Sequence, residues 1–126
     1  MAPVAPDWMK KAEQAALSLQ AETRGAPGAA QSVYVVLLQD KRRAARSVQG
    51  PWGLYVGQTS RDPDLRFDQH KTGYKASSPV RRFGVQLLPA LVAHLNPMLR
   101  WEALEVEAAL AELFRAAGVP WVEGGH

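Results

Sequence analysis

The chain contains no cysteine, and that absence removes several chemistries at once. A disulfide-stapled scaffold, a Cys-ligated zinc site and a thiol nucleophile are all excluded. Histidine is scarce: His70, His94 and His126 lie far apart with no HxxxH pair, which argues against a His-rich zinc site. No apolar run approaches the roughly 20 residues of a membrane-spanning helix, so no membrane partner is expected. Lys10, Lys11 and Glu13 interrupt any early hydrophobic segment. The N-terminus therefore does not read as a signal peptide, and a cytoplasmic location is expected. What remains is 126 residues, 47% of them apolar and 21% charged, enough for one packed domain and too apolar for wholesale disorder.

The net charge of +3 conceals an uneven distribution. Residues 41–82 carry ten cations and three anions, a balance of +7. Residues 100–126 carry two cations and five anions, a balance of −3. A cationic block of this kind is either a solvated face or a surface for phosphates, which attract clustered Lys and Arg irrespective of base sequence.

Periodicity and punctuation predict an α–β–β–α–β–α order. Asp7 precedes a helical pattern over residues 8 to about 23, with Trp8, Ala12, Ala15, Ala16 and Leu19 on one face. Residues 24–28 read as a linker. Residues 32–38 and 53–57 are β-branched and aromatic runs, predicted as antiparallel neighbours. Between them lies a polar loop with Lys41, Arg42, Arg43 and Arg46. Asp62 is a good N-cap, Pro63 suits the first helical position, Asp64 favours the positive end of the dipole, and Gly73 suits the stop. A basic loop over residues 74–82 leads to a third strand near residues 84–91. Asn96 and Pro97 introduce a final helix over residues 98–117, ended by Gly118 and Pro120. The expectation is an α+β fold: a small three-stranded, mostly antiparallel sheet flanked by helices, a β-β-α-β-α core with an extra N-terminal helix. Residues 1–31 form that helix and its linker, and residues 32–126 form the main domain.

Several side chains could carry chemistry. On a helical wheel of the final helix, Leu99, Ala103, Val106, Leu110, Leu113 and Ala117 form the core stripe. Glu105 and Glu112 face solvent, while Glu107 and Glu102 stand on opposite borders of the stripe. A border carboxylate can reach a cleft while packing holds its backbone; the plainer alternative is a surface Glu. Arg66 and His70, four residues apart, share a helix face and could contact a phosphate together, or simply be solvated or paired with Asp62 or Asp68. Tyr34 and Tyr55 sit on adjacent predicted strands. A phenol of pKa about 10 is a poor base unless cations or a metal-bound water lower it; half-buried strand aromatics are the plainer alternative.

Taken in order, these features resemble the GIY-YIG nuclease family. Ser32-Val33-Tyr34 is similar to the first triplet and Tyr55-Val56-Gly57 to the second, followed by Gln58-Thr59-Ser60. The helix with Arg66 and His70 resembles the family's first core helix, and Ala103-Leu104-Glu105-Val106-Glu107 resembles the segment with its metal-binding Glu. Ser32 stands where the family has Gly, Val33 and Val56 where it has Ile, and the family's late Asn has no clear counterpart. The resemblance spans roughly residues 32–118.

The resemblance implies a metal-dependent endonuclease that hydrolyses DNA phosphodiester bonds with one Mg²⁺ (or Mn²⁺). Glu107 would be the metal ligand, with phosphate and water completing the shell. Arg66 would stabilise the phosphate, Tyr34 would act as base or proton relay, and Tyr55 and His70 would assist or orient the attacking water. Nucleic acid would be bound by Lys41, Arg42, Arg43, Arg46, Lys71, Lys75, Arg81 and Arg82. DNA is the expected partner, with RNA the other candidate, and the protein is expected as monomer or homodimer. The alternative reading is a non-catalytic nucleic-acid-binding module of the same fold. A third is a protein-binding component that uses the Ala-rich N-terminal helix and exposed Trp8, Trp101 and Trp121.

Overall fold

A computed structural model describes residues 6–44, 50–72 and 78–125; the side chains of Ala44, His70 and Ser78 are also outside the description. Arg46, Lys75 and Gly73, named above, lie outside the described residues.

The two apolar runs form long paired strands. β1 (Ser32–Gln39) and β2 (Trp52–Thr59) are antiparallel, with Tyr34 opposite Gly57, Val36 opposite Tyr55 and Leu38 opposite Gly53. Side chains alternate across a strand, so each strand serves two cores. Val33, Val35, Leu37, Leu54 and Val56 face one layer. Tyr34, Val36, Leu38 and Tyr55 face the other. β1 is buried on both faces, which is why it reads as a continuous apolar run.

The sheet is mixed and four-stranded among the described residues, in the order β3-β1-β2-β4, where three mostly antiparallel strands were expected. β3 (Gly84–Leu87) is antiparallel to β1, and β4 (Val122–Gly124) lies parallel to β2. The added strand comes from a tail punctuated by Gly118, Pro120, Gly124 and Gly125, which leaves too short a run to read as a strand. It pairs because α5 (Arg100–Ala116) returns the chain beside β2.

One layer comprises α1 (Met9–Leu17), α5 and a short 3₁₀ turn at Pro89–Leu91. Ala12 and Ala16 of α1 are fully buried in the same core as Phe114 and Leu110 of α5. α1 is shorter than its amphipathic pattern. The buried stripe of α5 is Ala103, Val106, Leu110, Ala111 and Phe114, with Leu113 and Ala117 only half-buried. The other layer comprises α3 (Pro63–Thr72) and α4 (Ser78–Phe83). α4 corrects the expectation of a loop: Val80 seats fully buried against Val36 and Leu38, and that packing sustains two turns of helix. A four-residue helix, α2 (Lys41–Ala44), interrupts the basic loop between β1 and β2.

Candidate active site

Tyr34, Tyr55 and Arg66 converge on the sheet face covered by α3 and α4. The tyrosines stand diagonally on adjacent strands, with ring centroids 6.1 Å apart and planes tilted by 34°. The expected cap is formed: Asp62 Oδ1 accepts from the Asp64 N–H at 2.8 Å, fixing the start of α3. Phe67 packs against the same core as Tyr34, which turns the helix face with Arg66 toward the sheet. Arg66 also donates from Nη1 to Gln69 Oε1 at 3.3 Å. His70 follows one turn later on α3.

Tyr34 hydrogen-bonds to both Tyr55 and Arg66. Guanidinium has no acceptor, so Arg66 donates to the phenol oxygen. Burial pushes the Tyr34 phenol well above its ordinary value; Tyr55 pushes the same way, and Arg66 opposes them without prevailing. Tyr34 therefore holds its proton over the whole physiological range.

Glu107 lies on α5, in the opposite layer, and is 6% exposed. Its turn is tied to the tyrosine strands through the tail. The Gly125 N–H donates to the Val56 carbonyl at 3.0 Å. A β-carbon on Gly125 would collide with the Ala111 methyl and stand 3.6 Å from the Glu107 carbonyl oxygen. Only glycine passes between α5 and β2 there. Among the described residues no three His, Asp or Glu groups cluster as a metal cage. A single hard carboxylate still suits Mg²⁺, which keeps most of its waters and takes phosphate oxygens as ligands.

The other border carboxylate, Glu102, has a structural task. It accepts from the Glu22 N–H at 2.8 Å, the Thr23 N–H at 2.7 Å and the Thr23 hydroxyl at 2.6 Å. The same hydroxyl accepts from the Leu99 N–H at 2.8 Å, so the linker caps α5 from outside the helix. Burial alone would raise the Glu102 carboxyl; the hydrogen bonds from Thr23 and Glu22 outweigh it and hold the group below its ordinary value.

The expected cations divide by surroundings. Lys41 and Arg81 are exposed. Arg42 pairs with Asp40 at 3.4 Å, and Lys71 Nζ donates to the Gly84 and Arg81 carbonyls at 2.9 and 3.4 Å. Arg43 lies over Trp121 and Arg82 over Phe83.

Sequence reasoning missed Trp121 and Glu123. Trp121, expected to be exposed, is buried on the tyrosine face, and its Nε1 donates to Glu123 Oε1 at 3.0 Å. Glu123 is registered beside Tyr55. The alternation of Trp121 and Glu123 was the available signal, but a three-residue strand is too short to assign from it. Trp8 is half-buried, while Trp101 remains 50% exposed.

Comparison with family models, with curated proteins and with solved structures finds no match to the chain.

Proposed function

We propose that this protein is a GIY-YIG-like, metal-dependent endonuclease that hydrolyses DNA phosphodiester bonds. The observation that carries the reading is the hydrogen-bonded set of Tyr34, Tyr55 and Arg66 on one sheet face, assembled from the two triplets and the first core helix. Arg66 is a permanent cation and binds the scissile phosphate, offsetting charge that grows in the transition state. Tyr34 keeps its proton and serves as a relay: as its phenol receives a proton from the attacking water it passes its own to Tyr55, and half-buried Tyr55 in turn releases one to solvent. Burial argues against Tyr34 acting as a free phenolate base. Tyr55 and His70 orient that water. Glu107 would hold the divalent ion, Mg²⁺ or Mn²⁺, which when bound polarises the phosphate and stabilises the departing oxygen.

The test is cleavage of supercoiled, branched and single-stranded DNA with Mg²⁺, Mn²⁺ or EDTA. Metal-dependent cutting, abolished in Glu107→Gln and in Arg66→Gln, is expected. A Glu107→Gln protein that cuts as well as the parent overturns the scheme. Salt-sensitive binding without cleavage under any condition would instead establish the non-catalytic module.

A further inference from the structure

At the other end of the tyrosine face four side chains stack in a row. The Arg43 guanidinium carbon lies 4.3 Å from the Trp121 ring centroid. Phe83 meets the indole edge-on, with centroids 5.4 Å apart and planes at 74°. The Arg82 guanidinium lies 5.1 Å over Phe83. The indole is also fixed from two further sides. Its N–H is held by Glu123, and Gly53 leaves the space it fills, since a β-carbon there would stand 2.6 Å from the ring. Residues from α2, α4 and the tail, remote in sequence, thus build one unit.

A guanidinium lying on an aromatic face keeps its in-plane N–H donors free and loses little further entropy on binding an anion. Among the described residues neither Arg43 nor Arg82 joins an ion pair. Trp121 packs over Gly53, four residues before Gly57 on β2, which places the row about 13 Å along the strand from Tyr34 and Arg66. That is about four nucleotide steps of one strand of a duplex.

We infer that Arg43 and Arg82, held on a Trp121–Phe83 platform, form a phosphate-binding pair that grips the backbone of a nucleic-acid strand running along β2 toward Tyr34 and Arg66. The inference rests on the nucleic-acid part of the reading above and does not need hydrolysis. It selects two of the eight candidate cations and gives Trp121, Phe83 and Gly53 a positioning role.

The test is binding of a labelled DNA duplex in EDTA, followed by fluorescence anisotropy across a salt series. Arg43→Gln and Arg82→Gln are each expected to reduce the slope of log affinity against log salt by about one, equally for unrelated base sequences. Trp121→Leu should match Arg43→Gln, and combining the two should add little, because the platform acts through the guanidinium. Arg115→Gln, which removes a cation paired with Glu112 on the exposed side of α5, should keep the parent slope. If Arg43→Gln and Arg82→Gln both retain the parent slope and affinity, the clamp is overturned while the nucleic-acid reading stands. A parent protein that binds neither duplex, branched nor single-stranded DNA at any salt overturns both.

Discussion

The Tyr34 ring lies directly on Gly57. A β-carbon at Gly57 would stand 2.5 Å from Tyr34 Cζ and 2.6 Å from its hydroxyl. The two residues face each other across the β1–β2 ladder, so the glycine is the floor on which the phenol rests. No positive backbone angle requires glycine here; the requirement is space.

Gly57→Ala therefore must move the Tyr34 ring or spread the strands. Overpacking of this kind costs about 1–3 kcal/mol. A lower midpoint in thermal unfolding is expected, together with loss of any DNA cleavage that depends on Tyr34. Retention of both parent values would show that the ring is not held by this contact.

The Tyr34 hydroxyl can be tested without an assay of function. Its folded pKa is raised by burial, so its contribution to stability is complete below the ordinary value of about 10 and is lost as pH rises beyond it. Tyr34→Phe should flatten the alkaline limb of the stability curve. In the folded parent, tyrosinate absorbance should show Tyr34 absent from the first ionisations. In a cleavage assay the same variant should lose about 10²–10⁴-fold in rate, the range of a positioned proton-transfer group.

The Glu102 cap predicts the opposite limb. Its folded pKa is lowered, so its contribution is complete above the ordinary carboxylate range and disappears as pH falls through the depressed value. Glu102→Gln should cost about 2–3 kcal/mol near neutral pH, reflecting lost charge-assisted bonds. The gap between variant and parent should narrow on acidification. Chemical unfolding at several pH values measures both effects.

Asn96 replaces strand pairing at Val33, on the stretch of β1 beyond its ladder with β3. Its Oδ1 accepts from the Val33 N–H at 2.9 Å, and its Nδ2 donates to the Val33 carbonyl at 2.8 Å. Asn96→Ala leaves both backbone groups without these partners and should cost about 2–3 kcal/mol. Asn96→Asp should be nearly as damaging, since a carboxylate cannot donate to the carbonyl. Denaturant midpoints of the two variants provide the comparison.

The sequence by itself determined much of this protein. β1 and β2, the capped start of α3 and the long α5 follow from local pattern: β-branched and aromatic runs, an Asp-Pro helix start, and a 3.6-residue apolar period. The order of Tyr34, Tyr55, Arg66 and Glu107 was legible for the same reason, because each sits in a regular element whose pattern is strong. Tertiary structure alone decided the rest. β4 exists because α5 delivers three residues alongside β2, and Val80 in the core makes α4 a helix. Glu102 and Glu107 look alike on a helical wheel; one became a cap because the linker supplies Thr23 and Glu22. The elevated phenol of Tyr34 and the stacking of Arg43 on Trp121 arise from burial and from contacts between distant segments. Such contacts leave no period in the chain, since dehydration and packing depend on what the fold brings near and not on what is adjacent in sequence.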